Sequence, residues 1–151
     1  MRVVVRLASI LSVFAIVAIA AHAGNWPQWR GPTGDSVSGE TKLPLKWSEK
    51  ENILWTCRLP GAGNSTPAIW GNAVFVTVQD GEDLSALKID KSTGRIVWSH
   101  KVGAGTANRK APNGENRRHQ KFHNLHNLAS PSPATDGEVV VFHFGNGDLA
   151  A

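Results

Sequence analysis

The chain has one cysteine in 151 residues, so Cys57 cannot close an internal disulfide. It shares a strand face with Ile53, Trp55 and Leu59, and we read it as a small apolar core residue. A nucleophilic role would want a histidine partner and an electropositive setting, and the residues around it supply neither. There is no haem-binding Cys-x-x-Cys-His, no Ser-His-Asp set and no paired carboxylate. Gly103-Ala104-Gly105-Thr106-Ala107-Asn108 lacks the third glycine of a dinucleotide fingerprint and opens no helix, so phosphate cradling is rejected. Asn64-Ser65-Thr66 fits a glycosylation sequon and is read as chance. Catalytic residues are therefore expected to be none, and no cofactor ligands are identifiable.

Long apolar runs are equally scarce. The one present, Leu7 to Ala20, follows Arg2 and Arg6 and precedes Ala21-His22-Ala23, a small-x-small cleavage signal. It is too short for a comfortable membrane span. Residues 1–23 read as a signal peptide with the mature chain starting at Gly24, no span after cleavage, and a periplasmic or extracellular destination. No cysteine follows the run, which argues against a lipid anchor.

The charge excess is local. The formal net charge of +4 falls to +2 without Arg2 and Arg6. Residues 103–128 alone hold Arg109, Lys110, Arg117, Arg118 and Lys121 against Glu115. One basic loop sets the high pI, and no clustered helix or aromatic platform joins it, so nucleic acid is not an expected partner. Within the loop His119, His123 and His126 stand at i, i+4 and i+7, a spacing that would share one face of a helix and could hold a metal. Asn124 and Asn127 weaken such a helix and no acidic support is in sight. A solvated loop is the preferred reading.

What the chain does have is short strands and turns. Leu84 to Val102 reads as a hairpin, with Leu84 and Ala86 on one face of the first strand and Ile96, Trp98, His100 and Val102 alternating in the second. Between them, Asp90 and Thr93 can bond back to the backbone and Gly94 can adopt positive φ. The pattern also repeats. Trp55 and Trp98 lie 43 residues apart in matching contexts, Ile53-Leu54-Trp55-Thr56 against Ile96-Val97-Trp98-Ser99. Such a spacing equals one four-stranded propeller blade. Pro67-Ala68-Ile69-Trp70-Gly71 similarly matches Pro133-Ala134-Thr135-Asp136-Gly137, at a longer spacing that accommodates the basic loop.

These repeats carry a family resemblance. Asp90-x-x-Thr93-Gly94-x-x-x-Trp98 resembles the signature of PQQ-like (quinoprotein-like) β-propellers, with Lys88 where the family has Ala. Trp26-Pro27-Gln28-Trp29-Arg30-Gly31-Pro32 resembles the mature N-terminus of secreted bacterial members. The resemblance implies an all-β fold, a partial β-propeller of four-stranded antiparallel blades: one complete blade and parts of two others.

The expected order is an extended Trp/Pro-rich arm (24–52) and a truncated propeller (53–151) with an insertion loop (103–128). Within the propeller we expect an orphan outer strand (53–59), a complete blade (65–102) and three strands of a second blade (129–151). Strands should begin near Ser65 and Ser132. Trp26 and Trp29 should both plug a hydrophobic surface, the preferred reading over an aromatic platform for a sugar or polymer. The chain then reads as the front of a longer protein, monomeric when whole.

Two functions follow from the resemblance. One is a non-catalytic exported scaffold, similar to that of the bacterial outer-membrane assembly machinery, binding envelope proteins or polymers. The alternative is a PQQ-dependent alcohol dehydrogenase, with the quinone and Ca²⁺ in the channel. That reading needs an Asp base, Asn/Glu calcium ligands and a vicinal Cys pair, none of which can be assigned. His126-Asn127-Leu128-Ala129-Ser130-Pro131-Ser132-Pro133 resembles the family's approach to an inner strand. His126, Ser130 and Ser132 there either face a bound ligand or, as we prefer, satisfy backbone groups.

Overall fold

The computed structural model describes residues 24–106 and 126–151. The leader, the basic side chains of the loop, His119 and His123 lie outside the described residues. Among the described residues, seven strands form two sheets. In the first, β1 (Ala68–Trp70), β2 (Ala73–Asp80), β3 (Asp83–Asp90) and β4 (Ile96–Ala104) pair in sequence order, each antiparallel to the next. In the second, β5 (Ala134–Thr135), β6 (Val140–His143) and β7 (Leu149–Ala150) do the same. The meander over 68–104 is one complete propeller blade.

Alternation along β2 explains why this sheet has cover on both sides. Val74, Val76 and Val78 face one way and pack with Leu87 and Ile89; Trp55, Cys57, Leu59 and Ile69 close over them. Ala73 and Phe75 face the other way and join Ala68, Leu84 and Ala86. Phe142 of the neighbouring sheet, with Phe144 beside it and Leu128 and Ala129 on the lead-in to it, meets that second face. Burying each of these large side chains is worth ~1.5–3 kcal/mol. Three rings anchor the junction, Phe142 standing edge-on to Phe75 at 6.1 Å and to Trp98 at 6.0 Å.

Three boundaries differ from the expectation. The segment 53–59 is extended and alternates, with Trp55, Cys57 and Leu59 half-buried, but it forms no ladder. Its apolar side chains fix its position while its backbone lacks a paired strand among the described residues. The lead strands begin at Ala68 and Ala134 rather than near Ser65 and Ser132. Each follows a proline, which has no N–H to give to a ladder. The serines act through their hydroxyls instead, Ser65 accepting from the Thr77 N–H and Ser132 from the Thr66 N–H. Finally, β4 runs on to Ala104, and Leu128, placed in the loop by its sequence, is fully buried.

The β3–β4 turn shows its chemistry directly. The Asp90 carboxylate accepts from Ser92 Oγ at 2.6 Å, from Thr93 Oγ1 at 2.9 Å and from the Thr93 N–H at 2.8 Å. Gly94, at φ 71°, returns its N–H to the Asp90 carbonyl.

Candidate functional site

The lead-in to the second sheet is bound to the first by side chains. Thr77, 1 % exposed, donates from Oγ1 to the Ala129 carbonyl at 2.9 Å and lies 3.2 Å from that of Pro131. Gln79 Oε1 accepts from the Leu128 N–H, and Asn127 Nδ2 donates to the Ala62 carbonyl. Ser130 Oγ accepts from the Asn127 N–H and sits 3.3 Å from His126 Nδ1. Ser130 and Ser132 thus satisfy backbone groups, and both also line a surface cavity of about 360 Å³ with Trp29, Asn64, Thr66 and Pro131.

The arm reaches this place by strand pairing. Trp26 exchanges two backbone hydrogen bonds with Ile69 of β1, and the Pro27 carbonyl accepts from the Thr135 N–H of β5. One short stretch therefore ties the lead strands of both sheets. Trp26 is half-buried, and its ring lies so close on Gly31 that a Cβ there would fall 2.8 Å from it. Trp29 is different: it is 65 % exposed, with the Arg30 guanidinium 5.6 Å from its ring centre. Only one of the two tryptophans is a plug, because the turn at Arg30 and Gly31, both at positive φ, sends the second outward.

The repeat tryptophans each face the sheet that follows them in the chain. Trp55 covers the Val74–Val76–Val78 face and donates from Nε1 to the Lys91 carbonyl at 2.8 Å, its ring against Gly94. Trp98 instead meets rings: Phe75, Phe142 and His100. Lys88, which takes the family's Ala position, lies directly across from it on β3. Beside Trp98 a groove of about 570 Å³ opens between the sheets, with Trp70, Lys88, Asp90 and Glu138 on its walls.

Residues 36–151 match the model of a PQQ-repeat family described as outer membrane protein assembly factor BamB. The chain belongs to that family. No curated protein and no solved structure matches it. For this PQQ-repeat propeller, the donors that a quinone–calcium pair would ask for can be checked against the structure. The sequence has one cysteine, so a vicinal pair cannot form within it. Among the described residues no three His, Cys, Asp or Glu side chains come together.

The carboxylates with displaced pKa values serve turns. Ser92 and Thr93 hold Asp90 down to about 2. Thr33 and the Val37 N–H lower Asp35, and the Val139 and Glu138 N–H groups lower Asp136. Each stays ionised at neutral pH as an acceptor for its own loop, a structural duty rather than proton transfer. The sequence favours Trp29 as a plug over an aromatic platform, whereas the structure leaves it exposed above a cavity. The cavity's lining is what the sequence does not show, although Arg30-Gly31-Pro32 is a turn signal immediately after an aromatic residue.

Proposed function

We propose that the chain belongs to an exported, non-catalytic propeller that acts as a binding scaffold for a cell-envelope protein. The observation that carries this reading is a set of exposed apolar side chains on and around an ordered loop. Leu45 and Leu54 are 95 % and 97 % exposed, and Leu43 and Trp47 are exposed too. The loop is held in shape: Ser48 and Glu51 exchange backbone hydrogen bonds, and Asn52 Nδ2 donates to the Lys46 carbonyl. Apolar side chains displayed on a fixed frame mark protein interaction surfaces. The family description, an outer-membrane assembly factor, supports an envelope partner.

The test is site-specific photo-crosslinking in cells that express the full-length protein. A photoreactive residue at position 45 or 54 is expected to trap a discrete envelope protein, whereas one at exposed Ser99 on β4 is not. Crosslinks confined to the protein's own chain would overturn the scaffold surface. Dye reduction on addition of PQQ and Ca²⁺ to the purified full-length protein would overturn the non-catalytic assignment.

A further inference from the structure

We infer that the cavity under Trp29 binds a neutral carbohydrate, one or two sugar rings of a glycan, with the indole as the stacking plate. The argument begins with the lining. Asn64, Thr66, Ser130 and Ser132 present an amide and three hydroxyls, Pro131 adds an apolar surface, and no lining residue carries a charge. Neutral hydrogen-bonding groups beside one broad aromatic face suit a ligand with hydroxyls at its edge and C–H groups on its flat sides. At about 360 Å³ the space lies in the ~300–1,000 Å³ range of small-molecule sites.

The hydroxyls are oriented for use. Ser132 Oγ already accepts the Thr66 N–H at 2.9 Å, so its own proton is directed away from that amide. Ser130 Oγ accepts from the Asn127 N–H and also lies 3.3 Å from His126 Nδ1, so it is held from two sides. Both side chains lie on segments tied into the junction through Thr77, which limits the ordering cost on binding.

The indole is held out by strain. Arg30 adopts φ 67° although it is not a glycine, a costly conformation that collects at functional positions. Local bonds sustain it: the Arg30 carbonyl accepts from the Ser36 N–H at 2.9 Å, and Arg30 Nε reaches Ser36 Oγ. The guanidinium over the indole can occupy only one of its two faces. With the arm bonded to Ile69 and Thr135, Trp29 stands on a rigid mount, exposed yet positioned. The ring is thus exposed in a fixed place, available to stack on a ligand in the cavity.

The experiment is calorimetric titration of the full-length protein with a panel of soluble neutral oligosaccharides: cellohexaose, maltohexaose, xylohexaose, mannohexaose and chitohexaose. Polygalacturonate is included as an anionic comparison. At least one neutral oligosaccharide is expected to bind, and Trp29→Ala to weaken it by about tenfold or more. Trp29→Phe keeps part of the affinity. Because Trp29 is exposed, its replacement leaves the fold intact, which circular dichroism verifies. No binding by any neutral sugar, unchanged affinity in Trp29→Ala, or binding of polygalacturonate alone would each overturn the inference. Crosslinking at positions 45 and 54 is indifferent to Trp29→Ala, so this site and the protein-binding surface stand or fall separately.

Discussion

Trp55 lies against Gly94 so closely that a Cβ added to the glycine would sit 2.5 Å from the indole. The tryptophan comes from the extended segment ahead of the first sheet, the glycine from that sheet's last turn. Their contact holds the segment in place where no ladder does. Gly94→Ala should therefore fail twice, through its positive φ of 71° at ~1–2 kcal/mol and through overpacking at ~1–3 kcal/mol. Trp55→Phe, which removes the Nε1 donor to the Lys91 carbonyl, should cost ~0.5–1.5 kcal/mol for that bond, with lost ring contact in addition. Denaturant unfolding of the two variants of the full-length protein checks the order. Equal stability of Gly94→Ala and wild type would mean that the docking is not tight.

Asp90 predicts a pH dependence. Its pKa is depressed from 3.8 to about 2, chiefly by the Ser92 hydroxyl and then by Thr93. A depressed carboxylate stabilises the folded state at pH values above its unfolded pKa, and that contribution is lost as the pH falls from near 3.8 to near 2. Wild type should lose melting temperature across this window. Asp90→Asn should be less stable than wild type at neutral pH, and the two melting curves should converge near pH 2. Parallel curves at every pH would remove Asp90 from the acid transition.

Much of this fold is legible in the chain because it is written locally. The Asp90–Gly94 turn, the alternation of Leu84 and Ala86, and the Trp55/Trp98 spacing each follow from side-chain chemistry within a few residues. What the sequence hides depends on distant partners. Segment 53–59 has a strand's alternation, but a ladder needs a neighbour that periodicity cannot reveal. Leu128 reads as the end of a polar loop, yet Phe142, Phe144 and the β2–β3 face bury it completely. Trp26 and Trp29 look alike in sequence, and only the pairing of Trp26 with Ile69 and the reversal at Arg30 send them to opposite fates. The lining of the candidate sugar site is illegible for the same reason: it comes from positions 29, 64, 66 and 130–132.

The ion pair between Lys101 and Asp83 predicts a small effect. Its 2.6 Å separation looks strong, but the side chains are 57 % and 54 % exposed. Water and salt screen such a pair, and ordering two side chains offsets much of the attraction. Lys101→Met should change stability by less than about 0.5 kcal/mol, with little sensitivity to salt. A loss several times larger in thermal melts would show that the pair governs the β3–β4 register.

Thr77 is the strictest test of how the two sheets are joined. Its hydroxyl is buried and lies within reach of two carbonyls, Ala129 and Pro131, on the lead-in to the second sheet. Valine keeps the shape but deletes the donor, leaving buried acceptors unsatisfied at ~1–3 kcal/mol. Serine keeps the donor and sheds a methyl group, about 0.8 kcal/mol. If the hydroxyl is what joins the sheets, Thr77→Val should be less stable than Thr77→Ser, and amide exchange should quicken at Gly145, whose N–H is held by the Leu128 carbonyl. The reverse order would assign the junction to packing of Phe75 against Phe142. Amide exchange at Lys91, whose N–H bonds the Asn72 carbonyl inside the first sheet, should stay unchanged in both variants, since those bonds do not cross the junction.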